Sequence, residues 1–104
     1  MTAYSYNDIV EIQKKNDIVD VFKIFLEVIN FDGMNWCECP FHDDDGFVMS
    51  RAKVMYISKE KQKFRCYHCN ANGDVFTIVM KMRNCTLTDA VKFLAERINY
   101  VCEV

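Results

Sequence analysis

Trp36-Cys37-Glu38-Cys39-Pro40-Phe41-His42 and Phe64-Arg65-Cys66-Tyr67-His68-Cys69 are the two segments that decide the fold of this chain. Each holds two metal-binding side chains separated by two residues: Cys39 with His42, and Cys66 with Cys69. Such a pair forms a tight turn that directs both donor atoms to one point, and a hairpin between the pairs would bring the two turns together. Three thiolates and one imidazole suit Zn²⁺ or an iron centre, and Zn²⁺ is favoured in an ordinary cytosol. The spacing predicts a closed tetrahedral site that is structural rather than catalytic.

The remaining cysteines and the second histidine are interpreted as non-ligands. Cys37 stands too close to Cys39 to chelate the same ion, so it is read as a spare thiol, with replacement of a ligand kept as the alternative. His68 lies inside the second pair, where its imidazole is expected to face a partner. Cys85 and Cys102 adjoin apolar helical segments and are expected to pack in the core.

Length and composition are those of one small soluble domain. The chain has 104 residues, of which 51% are hydrophobic, and it contains six cysteines. No apolar run is long enough to span a membrane, and Met1–Tyr6 does not resemble a signal peptide. We therefore expect a cytosolic protein, with no membrane contact, whose thiols are reduced and either bind metal or lie buried.

The periodicity of apolar residues predicts an α+β fold. Two helices are expected over residues 7–29, with Asn7 as the first N-cap, Asn16-Asp17 as the second and Asn30-Phe31-Asp32-Gly33 ending the second helix. A zinc ribbon over 36–72 follows, in which Ser58–Gln62 turns a hairpin and Lys63–Cys66 is the return strand. Two more helices are expected over 74–99. The sequence thus predicts one domain over 1–104: a small antiparallel sheet flanked by two N-terminal and two C-terminal helices.

Charge is unevenly distributed along the chain. Residues 1–50 hold three basic and ten acidic side chains, whereas residues 51–83 hold eight basic and two acidic ones. The basic side chains of the hairpin and the aromatic Tyr67 form a candidate nucleic-acid surface, since single strands are bound by cations and stacking rings. Its members are Arg51, Lys53, Lys59, Lys61, Lys63, Arg65 and Tyr67. The alternative is a solvated hairpin face without a ligand. The acidic run Asp43–Asp45 is interpreted as a solvated loop in preference to a Mg²⁺ site.

These motifs occur in the same order as in a known family. The two ligand segments, the preceding Asp17-Ile18-Val19-Asp20-Val21 and the later Gly73-Asp74-Val75-Phe76 resemble the N-terminal zinc-binding domain of bacterial DnaG-type DNA primases. The resemblance covers about residues 7–98. It implies a zinc ribbon with Cys39, His42, Cys66 and Cys69 as ligands and contact with single-stranded template DNA. Two features depart from the family pattern: the Asp43–Asp45 run, and Phe31-Asp32 where basic residues are usual.

The function expected from these observations is that of an accessory protein in DNA replication, in a phage or mobile element. It would bind single-stranded DNA in trans to a separate primase polymerase subunit or replicative helicase. The alternative is a protein-interaction module or inhibitor of the replication machinery that does not contact DNA. An enzyme is not expected, because no nucleophile and base pair is evident and the sequence ends at Val104 without a polymerase domain.

Overall fold

Two short helices begin the fold, each started by a side chain that caps its free amides. The computed structural model describes residues 4–41, 55–67 and 69–101. Helix α1 spans Tyr6–Lys15 and is capped by Ser5, not by the expected Asn7: the Ser5 hydroxyl accepts from Asp8 N–H while the Asp8 carboxylate accepts from Ser5 N–H. Helix α2 spans Ile18–Phe25, and Asp17 caps it as predicted. Ser5 is the better cap than Asn7 because it forms both hydrogen bonds of a capping box with Asp8.

The second helix ends earlier than the sequence reading placed it. Instead of continuing to residue 29, α2 stops at Phe25, and a β-hairpin follows with strands β1 (Ile29–Phe31) and β2 (Met34–Cys37). Phe31 pairs with Met34, so Asp32 and Gly33 alone form the turn, with φ values of 53° and 79°. Two left-handed residues in a two-residue loop make the type I′ turn that fits the twist of paired strands. The Asp-Gly pair therefore closes a hairpin and does not terminate a helix.

Three further strands complete the sheet. They are β3 (Met55–Ser58), β4 (Lys63–Cys66) and the two-residue β5 (Asn72–Gly73). All neighbours are antiparallel and the spatial order is β1-β2-β3-β4-β5. The hairpin predicted for the middle of the sequence is confirmed, since Ser58 pairs with Lys63.

Two helices follow the sheet. Helix α3 spans Val75–Arg83 and helix α4 spans Leu87–Arg97, which with the sheet confirms the α+β class. Asp74 caps α3 by accepting from the backbone N–H groups of Phe76 and Thr77 and from the Thr77 hydroxyl. No helix among the described residues is both long and apolar enough to cross a membrane.

The helices cover one face of the sheet and form the core with it. Met55, Ile57, Phe64 and Cys66 point inward from β3 and β4 and are buried, and the Phe64 ring meets the edge of Phe22 on α2. On the opposite side, which we call the outer face, the strands expose their alternate side chains. The outer face carries Ile29, Phe31, Met34, Trp36, Tyr56, Ser58, Lys63, Arg65 and Asn72.

The β3–β4 turn is fastened to the start of α2. The Gln62 side chain accepts from Ile18 N–H at 2.8 Å and donates to the Asp17 carboxylate at 3.0 Å, while Lys59 donates to the same carboxylate at 2.9 Å. Burial of the Asp17 carboxyl acts to raise its pKa, but the hydrogen bonds from Lys59, Gln62 and Asp20 N–H outweigh burial, so the pKa lies below its usual value. The turn is therefore held toward the helices.

Gly73 is required where β5 enters α3. A Cβ at this position would stand 2.4 Å from Thr77 Oγ1 and 2.7 Å from Thr77 Cβ, inside the capping structure. We expect Gly73→Ala to lower the free energy of unfolding by about 1–3 kcal/mol, the usual cost of an added carbon in a filled space. Urea unfolding measures this loss. In a Thr77→Gly background, which removes Cβ as well as Oγ1, the same substitution should cost clearly less, and an equal cost in both backgrounds would contradict the proposed clash.

The Asp17 carboxylate should make stability depend on acidity. Because its pKa is lowered in the fold, its contribution is complete above the pKa of the unfolded chain, about 3.9, and is lost as the pH falls through the folded value. Asp17→Asn should therefore be less stable than the parent at pH 7 and should lose less stability between pH 5 and pH 2. Thermal melts across this range test the difference, and parallel pH profiles for the two proteins would refute it.

Candidate metal centre and the adjoining sheet face

Three thiols converge at the end of the sheet. Strands β2 and β4 flank β3 and run in the same direction, so their carboxyl ends lie at the same end of the sheet. Cys39 lies two residues beyond β2, Cys66 is the last residue of β4, and Cys69 lies in the turn that follows. Their sulfur atoms all lie within 4.8 Å of one another. The fold thus brings together three of the four predicted ligands, whereas His42 lies outside the described residues.

The distances in this group fit a tetrahedral zinc ion. The Sγ atoms of Cys39 and Cys69 are 3.7 Å apart. Two thiolates at about 2.3 Å from one Zn²⁺ at the tetrahedral angle are separated by about 3.8 Å. The donor set is also appropriate, because thiolates are soft ligands that select zinc over magnesium or calcium.

In each ligand turn, a backbone N–H group donates to a cysteine sulfur. Phe41 N–H donates to Cys39 Sγ, and Cys69 N–H donates to Cys66 Sγ, both at 3.4 Å. Asn70 adopts a left-handed conformation with φ 64°, and its N–H donates to Cys66 C=O, closing the second turn. Amide donors to sulfur orient the ligands and stabilise the thiolate form, as second-shell groups do in metal sites.

Burial, helped by the neighbouring thiols of Cys66 and Cys69 and opposed by the hydrogen bond from Phe41 N–H, raises the pKa of the Cys39 thiol to about 12. In the metal-free fold this thiol is therefore protonated at neutral pH. Because zinc binds the thiolate, binding must expel a proton.

The first ligand turn packs directly on the core. The Phe41 ring stacks on Phe64 with centroids 5.4 Å apart and planes 19° apart, and Phe64 in turn contacts Phe22. Lys81 on α3 places its ammonium 6.0 Å from the centre of the Phe41 ring. The metal centre is therefore continuous with the hydrophobic core, so its loss should loosen more than the two turns.

Cys37 and Cys85 do not belong to the sulfur group. Cys37 is fully buried on the inner face of β2, and Cys85 is partly buried, with its thiol 3.9 Å from Val79 C=O. The structure thus gives no support to Cys37 as a replacement ligand. His68 and Cys102 lie outside the described residues.

A row of aromatic and basic side chains crosses the outer face beside the metal centre. Trp36, Tyr56 and Arg65 are directly opposite one another on β2, β3 and β4. The Trp36 ring lies 5.5 Å from Tyr56 and 5.9 Å from Tyr67, and the Arg65 guanidinium lies 5.8 Å from the Tyr67 ring. Tyr67 is 61% exposed, so its ring offers a face to solvent. Trp36 contacts that ring, and Tyr56, on the other side of Trp36, extends the platform across the sheet.

The predicted nucleic-acid residues other than Tyr67 divide into four groups. Lys63 and Arg65 alternate with the buried Phe64 and Cys66, so both project from the outer face as the strand period predicts. Lys59 does not, because its ammonium is paired with Asp17 at 2.9 Å; the hydrogen bond with Asp17 raises the pKa of Lys59. Lys61 is exposed in the turn. Arg51 and Lys53, like the acidic run Asp43–Asp45, lie outside the described residues.

Comparisons with known proteins agree with this geometry. The family profile of the CHC2 zinc finger, a zinc ribbon of DnaG type, matches residues 4–104. A DNA primase from Clostridium acetobutylicum is 33% identical over 95 residues, covering 85% of this chain and 14% of the primase. A DNA primase from Aquifex aeolicus is 32% identical over 91 residues, covering 88% of this chain and 17% of the primase.

A solved structure shares the whole fold. The crystal structure of the Aquifex aeolicus primase, containing its zinc-binding and RNA polymerase domains, matches with a TM-score of 0.78 and 29% sequence identity. The match covers 99% of this chain and 23% of that one. The chain therefore spans only a small fraction of the primases it resembles. It belongs to the CHC2 zinc-finger family, the zinc-binding domain of DnaG-type DNA primases, and it binds Zn²⁺.

Proposed function

We propose that this protein binds single-stranded template DNA through the outer face of its sheet and takes part in the priming of DNA replication. The observation that carries the proposal is the row formed by Trp36, Tyr56, Tyr67 and Arg65. It combines stacking rings with a cation that lies 5.8 Å from the Tyr67 ring. A single-strand site that accepts any base needs both kinds of group. The similarity to primase zinc-binding domains supports the same assignment.

The basic side chains and Tyr67 have different roles in this proposal. Lys63 and Arg65 neutralise phosphates while Tyr67 stacks on a base, since all three project from or beside the outer face. Lys61 adds charge at the turn, and Arg51 and Lys53 remain proposed contacts from the sequence. We propose no DNA contact for Lys59, because its ammonium forms an ion pair with the Asp17 carboxylate.

The zinc ion has a supporting role. We propose that Cys39, His42, Cys66 and Cys69 hold it, and that it fixes the ends of β2 and β4 so that Trp36 and Tyr67 stay in contact. No reaction centre is assigned to the described residues, and the matched primase region is the zinc-binding part. We therefore propose that residues 1–104 act as one non-enzymatic module, in trans to a primase polymerase subunit or replicative helicase.

Removal of zinc should dismantle this face. Treatment with a chelator is expected to lower the melting temperature and to unfold much of residues 36–76, because the metal-binding free energy of such a site is folding free energy. Since zinc binds thiolates and a free cysteine thiol is largely protonated at neutral pH, zinc affinity should also fall as the pH is lowered. Circular dichroism and a colorimetric metal-release assay measure these effects.

Two cysteine variants separate ligand loss from general damage. Cys69→Ser should bind zinc much more weakly, whereas Cys85→Ser, which changes a thiol outside the sulfur group, should retain the ion. A chelated protein with unchanged dichroism and melting temperature would refute the supporting role of zinc.

The outer face should account for DNA affinity. In fluorescence anisotropy with a labelled oligo-dT strand, Lys63→Ala and Arg65→Ala should each weaken binding and reduce the salt slope by about 0.7, the value for one phosphate contact on a single strand. Tyr67→Ala should cost about 1–3 kcal/mol of binding free energy through loss of one stacking contact.

Matched lysines elsewhere provide the controls. Lys59→Ala, in the same hairpin but paired with Asp17, and Lys92→Ala, exposed on α4, should leave the salt slope unchanged. Equal losses from Lys63→Ala and Lys92→Ala would mean that binding follows net charge alone, and the proposed site would be wrong.

A further inference from the structure

The outer face is divided into two halves of different chemistry. The half formed by β3 and β4 carries Lys63 and Arg65, as described above. The other half, formed by β1 and by the start of β2 before Trp36, carries exposed apolar side chains: Ile29 is 39%, Phe31 69% and Met34 39% exposed. A single-strand site would explain the first half, but it does not explain the second.

Charge separates the two halves further. Residues 24–35, which contain β1 and the start of β2, have no lysine, arginine or histidine but two acidic residues, Glu27 and Asp32. Asp32 lies at the tip of the β1–β2 hairpin, next to Phe31, and both are exposed. A polyanion is repelled from such a surface, whereas a segment with basic side chains is attracted to it.

Strand β1 also presents an open edge. It is the outermost strand in the sheet order, and none of the strands in the described residues pairs with its other side. In a two-residue hairpin the pair beside the turn, Phe31 with Met34, exchanges backbone hydrogen bonds, so the next pair directs its N–H and C=O groups outward. Asn30 belongs to that next pair. Natural edge strands are usually protected by lysine, proline or a bulge, and Ile29-Asn30-Phe31 contains neither lysine nor proline.

We propose that the open edge of β1 binds an extended segment of a partner protein in which apolar side chains alternate with Lys or Arg. The segment adds to the sheet as a further strand through the backbone of Asn30. Its apolar side chains pack beside Ile29 and Phe31, and its basic ones lie near Asp32. Strand addition of this kind draws affinity from main-chain hydrogen bonds and specificity from alternate side chains. The partner would then sit on the same sheet as the DNA strand without sharing its contacts.

A short synthetic peptide is a direct probe. A fluorescein-labelled, end-blocked hexapeptide of alternating Val and Lys should bind the zinc-loaded full chain, as measured by fluorescence anisotropy at low salt. The matched peptide of alternating Val and Glu should not bind. A Val-Lys peptide N-methylated at alternate residues, which removes the donors facing the edge, should also fail to bind. Binding of the acidic or the methylated peptide with equal affinity, or no binding of the Val-Lys peptide, would overturn the proposal.

Substitutions locate the site. Phe31→Thr keeps a strand-forming residue but removes the exposed ring, and should weaken peptide binding by about tenfold. Asp32→Asn keeps a residue suited to the left-handed turn but removes its charge, and should weaken binding at low salt more than at high salt. Leu87→Ser, an exposed apolar residue on α4, and Glu60→Gln, an exposed acid in the β3–β4 turn, should leave affinity unchanged. An unchanged affinity in Phe31→Thr would refute the site.

The outcome is separable from DNA binding. Phe31→Thr and Asp32→Asn should bind oligo-dT as the parent does, so peptide binding without DNA binding would contradict only the proposed function. A second copy of this chain could bind the same edge, and sedimentation equilibrium tests this alternative. A dimer that Phe31→Thr dissociates would overturn the partner proposal.

Discussion

The convergence of three thiols at the carboxyl ends of β2 and β4 is the constraint on which the rest of this structure depends. Cys39 follows one strand, while Cys66 and Cys69 lie at the end of another, and a third strand separates the two. An ion shared by these ligands ties together segments that are about 30 residues apart in sequence. A small core benefits strongly from such a link, because a domain of this size buries a limited fraction of its surface. The stack of Phe41 on Phe64 then joins the metal centre to the core.

The same constraint positions the residues of the proposed DNA-binding row. Trp36 lies in the strand that leads into the first ligand turn, and Tyr67 lies within the second, so their ring contact bridges the two ligand segments. Arg65 is brought to the same place because it alternates with the buried Phe64 and Cys66. The stacking platform and its cation are thus built from residues immediately beside the ligands. This proximity supports the proposal that the metal, by fixing the two ligand segments, controls the binding of a nucleic acid.

Local patterns in the sequence were sufficient for much of this architecture. The cap that starts α2 and the return strand Lys63–Cys66 were predicted correctly, because each depends on residues a few positions apart. The β1–β2 hairpin was missed because Phe22, Phe25 and Ile29 also fit helical spacing, and the Asp-Gly signal was read as the end of a helix. The pairing of Lys59 was not predicted for a different reason. Its partner Asp17 is 42 residues away, and the pairing depends on how the hairpin turn docks on α2.

The central claim is that zinc-loaded protein binds single-stranded DNA through the row Trp36, Tyr56, Arg65 and Tyr67. The most direct measurement is a titration of the isotopically labelled zinc-loaded chain with oligo-dT, followed by amide chemical shifts in NMR spectra. The account predicts that the shifts cluster at β3, β4 and Tyr67, while the amides of α1 and α4 stay in place. Shifts confined to the helices, or no shifts at all at low salt, would contradict it.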